Sequence, residues 1–183
     1  MGCSNGGMFT FELASDERSA TRLAGIVPIV GLPHYGYSKG PVISMPMFGM
    51  YGLSDTTVPP ISNTDDPYKT LDTYNDGGGW YYTSLLKVMM DWTEGNGCDG
   101  DGQEPLSEEY GISEYELTCT QGCSEKKDSS HVVGCQFDGG HVCDLDEIWG
   151  PAFNFMLTPR KKKGKGSKKG KGSKAGRKKL LKQ

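Results

Sequence analysis

The sequence predicts an α/β domain, with a mostly parallel sheet and flanking helices, followed by a basic tail. Short apolar runs bounded by glycine and proline alternate with stretches of helical periodicity through the first 158 residues. Strands that alternate with helices are typical of a layered domain with a parallel sheet. The chain has 183 residues and a net charge of −3, but 13 of its 20 Lys and Arg residues lie between Arg160 and Gln183. The preceding part therefore carries 7 basic residues against all 23 acidic ones.

The charge and composition divide the chain into a domain over 1–158 and a tail over 159–183. The hexapeptide KGKGSK occurs at 163–168 and again at 169–174, and such a segment lacks the apolar side chains needed to offset the entropy of ordering. We expect it to be disordered. Its lysines would attract polyanions such as nucleic acid or anionic polysaccharide in a salt-dependent way, and a solvated, nonspecific tail is the simpler alternative. No apolar run is long enough to predict a membrane span, and no signal peptide is recognisable in this chain.

One helix is predicted with a clear periodicity over 84–94. Leu85, Val88, Met89 and Trp92 fall on a single face of it. Strands are predicted at 23–31 and 44–51, where Pro28 and Pro46 are unfavourable because proline lacks the N–H of a strand ladder. A strand pair is predicted at 114–120 and 131–137, and a last helix over 144–157, in which Pro151 is expected to cause a break or kink. A Gly- and acid-rich stretch over 97–113 is predicted to be a surface loop.

Five of the six cysteines lie within one acidic stretch, which favours an oxidising compartment and disulfides. They are Cys98, Cys119, Cys123, Cys135 and Cys143. We expect two disulfides among these five, while Cys3 stays free as a small buried residue. The pairing cannot be derived from spacing. A zinc site is the less favoured alternative, because the spacing lacks paired C-x2-C knuckles, and free thiols are a third.

The first residues contain the pattern G-x-S-x-G, with Ser4 between Gly2 and Gly6. This pattern is typical of a nucleophile on a tight strand-to-helix turn, where small neighbours let the backbone pass close by. A helix over 6–14 would direct its N-terminal amides at developing negative charge, and the backbone N–H of Asn5 would be one oxyanion donor. An ordinary turn serine is the alternative interpretation.

Two later residues could complete a triad with this serine. Asp55 lies in a polar loop directly after an apolar strand, and His141 follows another strand and two glycines. Their order along the chain is the Ser, Asp, His order of nucleophile-elbow hydrolases. We therefore predict that Ser4, Asp55 and His141 converge within hydrogen-bond distance. A turn or helix-cap role is the alternative for Asp55, and a surface loop histidine is the alternative for His141.

These motifs together resemble one family of α/β-hydrolases. The resemblance rests on GCSNGGM at 2–8, on G-x-x-D-x-x-V-P at 52–59, on Trp92 followed by Asn-Gly-Cys at 96–98, and on Gly-Gly-His at 139–141. The sequence is similar to the secreted feruloyl esterase and polyhydroxybutyrate depolymerase family. The resemblance implies a serine esterase with Ser4 as nucleophile, His141 as general base and Asp55 as its orienting carboxylate. It also implies secretion, disulfides, ester substrates and no metal or other cofactor.

The resemblance begins at the nucleophile elbow, so it implies only the C-terminal half of such a fold. The family places several strands and the loop that supplies a second oxyanion N–H before this point. We therefore expect a partial α/β-hydrolase fold with little activity on its own, restored by an upstream segment. The substrate could be a feruloylated or acetylated polysaccharide or a hydroxyacid polyester. A noncatalytic hydrolase remnant that binds polyanions through residues 160–183 is the alternative function.

Overall fold

A single six-stranded sheet organises the chain in the computed structural model, which describes residues 1–73, 79–144 and 146–158. The predicted disordered tail, 159–183, lies outside these residues. The strands are β1 (Gly2–Cys3), β2 (Pro28–Ile29), β3 (Met47–Gly52), β4 (Glu104–Leu106), β5 (Leu117–Gly122) and β6 (Val132–Phe137). The α-helices are α1 (Asn5–Ser15), α2 (Glu17–Ala20), α3 (Leu85–Gly95), α4 (Lys127–Ser130) and α5 (Asp146–Leu157). Short 3-10 helices span Glu109–Glu114 and Ser124–Lys126.

The sheet is mixed, in the order β1-β2-β3-β6-β5-β4. Each neighbouring pair among β1, β2, β3 and β6 is parallel, whereas β5 pairs antiparallel with both β6 and β4. The α/β class is thus confirmed, and the expectation of a mostly parallel sheet describes only one half of it. The antiparallel half follows from its short connections, since only nine residues lie between β5 and β6, too few for a parallel crossover.

The first predicted strand is much shorter than its apolar run. Only Pro28–Ile29 is a strand within 23–31, with an isolated bridge from Ile26 to Met47. The N–H groups of Ile26 and Val30 both donate to β3 or the residue before it, to Pro46 O at 3.0 Å and to Met50 O at 2.8 Å. Pro28 stands between them, where it has no N–H to donate. Proline therefore interrupts this ladder, as its position suggested.

Both faces of the sheet are covered by helices, which gives three layers. Met47 and Tyr51 of β3 belong to one buried cluster, together with side chains of α1 and α3. Phe48 and Met50 of β3 belong to the other cluster, together with side chains of α5. Strands that are covered on both sides are apolar on both sides, which explains the continuous apolar run of β3. The structure describes no helix with both the length and the apolar character needed to cross a bilayer.

The predicted helical face of α3 is confirmed. Leu85, Val88, Met89 and Trp92 are all buried, and the Ser84 hydroxyl caps the helix by accepting from Lys87 N at 3.3 Å. The last helix continues through Pro151 instead of breaking there. Its apolar side chains Ile148, Ala152 and Phe155 are fully buried against the sheet, and this packing compensates for the hydrogen bond that proline cannot make.

The expectation of a surface loop over 97–113 is wrong in part. Glu104–Leu106 adds the edge strand β4 to the antiparallel half, and a 3-10 helix begins at Glu109. The run EPL shows why the strand is invisible in the sequence, since only Leu106 of its three residues is buried. Proline on an edge strand costs nothing when its missing N–H would face away from the partner.

Candidate active site

Ser4 lies on a tight turn between β1 and α1. Its backbone has φ 53° and ψ −123°, a conformation rare for a residue with a side chain. The turn is fixed on both sides, because Ser4 N donates to Ile29 O at 2.8 Å and Ser4 O accepts from Met8 N at 3.0 Å. The strained geometry matches the turn predicted from G-x-S-x-G. The serine therefore stands at the N-terminus of α1, where the first amides of the helix have no partner within it.

Gly2 is required by this turn and Gly6 is not. A Cβ on Gly2 would lie 2.1 Å from Gly6 O, far inside van der Waals contact, whereas a Cβ on Gly6 meets nothing within 4 Å. Of the two glycines in the pattern, only Gly2 is thus required for steric reasons. The N–H of Asn5, the first residue of α1, directly follows the nucleophile position, as the oxyanion prediction requires.

Asp55 lies in the turn that follows β3 and is 4% exposed. Its Oδ1 accepts from the backbone N–H groups of Thr57 and Val58, each at 2.8 Å. Its Oδ2 lies 2.8 Å from Nδ1 of His141. The two interpretations of Asp55 are therefore compatible, since the turn hydrogen bonds occupy one carboxylate oxygen and orient the other toward the histidine.

His141 lies in the loop that follows β6, and this loop packs closely on the end of β3. A Cβ on Gly52 would be 2.3 Å from Gly140 O, and Ser54 N donates to Gly139 O at 2.8 Å. The imidazole has its Nε2 at 2.8 Å from Ser4 Oγ. Its side chain is 23% exposed, whereas that of Asp55 is fully buried. A ligand can thus reach the histidine and serine but not the carboxylate.

The predicted convergence of the three side chains is confirmed by these two contacts. Residues separated by 137 and 86 positions are joined in one hydrogen-bonded series from Ser4 through His141 to Asp55. The carboxyl ends of neighbouring parallel strands meet at one edge of a sheet, which is why β1, β3 and β6 bring their following residues together. A neutral imidazole that donates from Nδ1 to the carboxylate can accept the serine proton at Nε2.

The disulfide expectation is wrong in number and for Cys3. All six cysteines are paired, as Cys3–Cys143, Cys98–Cys123 and Cys119–Cys135. Cys3 directly precedes Ser4 and Cys143 follows His141 by two residues, so the first bond joins the chain on either side of the candidate site. The pairing follows from the same strand topology that brings serine and histidine together. The predicted contact between Ser4 and His141 was the signal from which the Cys3–Cys143 pair could have been inferred.

No metal centre is evident in the part of the chain that the structure describes, where no group of three or more His, Cys, Asp or Glu side chains is placed to hold an ion. The six cysteine sulfurs are all in disulfides, so the zinc alternative is wrong. The chemistry available at the site is that of the hydroxyl, the imidazole and the carboxylate.

No protein-family model and no curated protein matches this chain. The contacts among Ser4, His141 and Asp55 and the resemblance of the motifs that contain them are therefore the features that point to a function.

Proposed function

We propose that this chain is a serine carboxylic-ester hydrolase of the α/β-hydrolase type, similar to feruloyl esterases and polyhydroxybutyrate depolymerases. The observation that carries the proposal is the hydrogen-bonded series in which His141 contacts Ser4 Oγ and Asp55 Oδ2, each at 2.8 Å. A turn serine or a surface histidine would have no reason to adopt this arrangement at a strained strand-to-helix turn. The parallel pairing of β1, β2, β3 and β6 supports the proposal, because a hydrolase fold would have parallel strands in this part of its sheet.

The reaction would proceed in two steps. Ser4 Oγ attacks the ester carbonyl carbon while His141 Nε2 accepts the hydroxyl proton, and the resulting imidazolium then gives this proton to the departing alkoxide. Water attacks the acyl-serine with the same histidine as base, which releases the acid and regenerates the serine. Asp55 holds the imidazole in the tautomer that accepts at Nε2 and stabilises its charged form.

Negative charge on the carbonyl oxygen develops at the N-terminus of α1. The N–H of Asn5 is the proposed oxyanion donor, supported by the partial positive charge at the start of the helix. We further propose that turnover is slow, because the motifs assign only this one donor and loss of a single donor costs about 10²–10³ in rate. Three disulfides are consistent with an extracellular, oxidising environment, so secretion is part of the proposal.

The test uses a reagent that reports an activated serine even when turnover is slow. A fluorophosphonate probe should label the full chain at Ser4, as identified by peptide mass spectrometry, because the base is already in contact with the hydroxyl. The His141→Ala variant should be labelled at least ~10²-fold more slowly, and Ser4→Ala should show neither labelling nor hydrolysis of p-nitrophenyl acetate. Ser19, a second part-buried serine, provides an internal control. Equal labelling of Ser4 with and without His141 would contradict the proposal.

A further inference from the structure

The chain bends sharply at Val30, directly after β2. The backbone of Val30 has φ 39°, and in the part of the chain that the structure describes it is one of four residues other than glycine with positive φ. A β-branched residue in this region is a genuine outlier, because its branches crowd the backbone. Strained backbone of this kind is concentrated at functional sites and persists only where the surrounding structure fixes it. The conformation of Val30 therefore points to a functional role for the bend.

Contacts on both sides of Val30 hold this bend in place. Its side chain is fully buried in the cluster that also contains side chains of α5. Its N–H donates to Met50 O at 2.8 Å, and the preceding residue, Ile29, accepts from Ser4 N at 2.8 Å. The bend is thus fixed by the apolar core, by β3 and, through Ile29, by the turn that carries the candidate nucleophile.

The bend brings Gly31 against the nucleophile turn. A Cβ on Gly31 would lie 2.4 Å from Ser4 O and 2.8 Å from Met8 N, which are the two atoms joined by the first hydrogen bond of α1. The approach is also close from the helix side, because a Cβ on Gly7 would lie 3.2 Å from the Cα of Gly31. Since backbone meets backbone here with no side chain between, a movement of the bend is transmitted directly to Ser4.

From these contacts we infer that the bend at Val30 and Gly31 is a positioning element for the nucleophile. It fixes the carbonyl of Ser4, and with it the turn that places Ser4 Oγ at 2.8 Å from His141 Nε2. It also fixes the first turn of α1, which carries the proposed oxyanion N–H of Asn5. Val30 and Gly31 contribute no reacting group and act through Ser4, where a displacement of about 1 Å costs roughly 10²-fold in rate.

The inference rests on the proposed function, and its first test measures the reactivity of Ser4. Gly31→Ala forces the bend away from the Ser4 carbonyl, so fluorophosphonate labelling of Ser4 should fall by at least ~10-fold. The pH dependence of labelling should keep its midpoint, because the bend contacts Ser4 and α1 and leaves the contact of His141 with Asp55 unchanged. A change in stability alone would not lower labelling of protein that remains folded.

Gly25→Ala is the matched control for that substitution. Its methyl group would lie 2.9 Å from Pro46 O, so it overpacks the segment before β2, at the other end from Ser4. Both variants should melt at a lower temperature than the unmodified chain, but Gly25→Ala should be labelled at an unchanged rate. If labelling falls equally in both variants, or in neither, the inference is wrong.

Amide hydrogen exchange measures the Ser4 turn without catalysis. The Ser4 N–H is bonded to Ile29 O, and Gly31→Ala should raise its exchange rate at least ~10-fold above the rate in Gly25→Ala. Absence of Ser4 labelling in the unmodified chain would overturn the proposed function, while these exchange rates still decide whether the bend holds the turn. Equal exchange rates in the two variants would overturn the inference.

A pair of substitutions at Val30 tests the strained conformation and decides the inference if Gly31→Ala does not fold. Glycine adopts positive φ without strain, so Val30→Gly should melt at a higher temperature than Val30→Ala and should label at least as fast. At Val133, which is buried in the same cluster but lies in the extended strand β6, the alanine variant should be the more stable, because glycine weakens a strand. The inference fails if Val30→Ala melts above Val30→Gly or labels faster.

Discussion

The parallel and antiparallel halves of the sheet hold their positions by different means. In the parallel half, β1 and β2 have only two residues each; the backbone approaches closely at Gly2 of β1, beside the Ser4 turn, and at Gly52, where the end of β3 meets the His141 loop. In the antiparallel half, β5 and β6 pair over six residues, and Cys119 is bonded to its direct partner Cys135. The reactive side chains all follow parallel strands. Ser4 follows the two-residue strand β1, where regular hydrogen bonding is least extensive, whereas Asp55 and His141 follow β3 and β6, which pair over six residues.

The two halves thus differ in the kind of constraint that holds them, which is close backbone contact at the Ser4 turn and extended strand pairing between β5 and β6. A two-residue strand contributes little stability by itself, so the turn at Ser4 depends on neighbours that exclude every alternative position. The antiparallel half, by contrast, is held by six direct backbone pairs between β5 and β6. Substitutions in the parallel half should therefore change the reactivity of Ser4, whereas substitutions in the antiparallel half should change stability with little effect on that reactivity.

The largest effect on the reactivity of Ser4 is expected from Gly2→Ala. The added methyl group would lie 2.1 Å from Gly6 O, so the turn must move, and a displacement of about 1 Å at a reacting atom costs roughly 10²-fold in rate. We expect fluorophosphonate labelling of Ser4 to fall by at least that factor. Overpacking should also lower the free energy of unfolding by about 1–3 kcal/mol, as measured by urea denaturation.

Gly6→Ala is the matched control for that substitution. The new methyl group would meet no atom within 4 Å, and alanine in α1 should stabilise the helix by about 0.5–1 kcal/mol. Labelling of Ser4 should be unchanged. If the two variants lost labelling of Ser4 equally, the lack of space at Gly2 would not be what controls the turn.

The sequence allowed much of the parallel half to be predicted. The strand-to-helix turn, the buried face of α3 and the meeting of Ser4, Asp55 and His141 all follow from local patterns and from the rule that parallel strands end at one edge. The position of Pro28 predicts a weakened ladder, but how far β2 is shortened depends on which neighbouring strand the missing N–H would face.

The antiparallel half was less predictable for physical reasons. The strand β4 exposes two of its three residues, so it lacks the alternation that reveals a strand. The continuation of α5 through Pro151 depends on tertiary packing, which overrides local propensity. Disulfide pairing is a property of the folded chain, and spacing alone allowed 15 arrangements of six cysteines.

The second expected effect concerns the bond that joins the two reactive loops. Cys3→Ser/Cys143→Ser opens a bond between positions 140 residues apart, which by chain entropy should lower the free energy of unfolding by about 5 kcal/mol. Because the cysteines flank Ser4 and His141, we also expect labelling of Ser4 to slow by roughly 10-fold, since small displacements of reacting groups are costly. The free energy of unfolding and the labelling rate are both measured on protein that circular dichroism shows to be folded. A stability loss with unchanged labelling would show that the bond has no positioning role.

The smallest effect on reactivity is expected at the other end of the sheet. Cys119→Ser/Cys135→Ser removes a bond between positions 16 residues apart, so the loss in free energy of unfolding should be about 3 kcal/mol, less than for the longer loop. The two residues remain direct partners in a ladder of six pairs, and the backbone hydrogen bonds of β5 and β6 should keep the His141 loop in place. Labelling of Ser4 should therefore stay within about twofold of the unmodified chain, a change of less than half a kcal/mol in activation free energy. Urea denaturation and labelling kinetics on the same samples separate the two quantities. If this variant loses labelling as strongly as Cys3→Ser/Cys143→Ser, then the halves of the sheet are mechanically coupled, and the division between reactivity and stability drawn from their architecture does not hold.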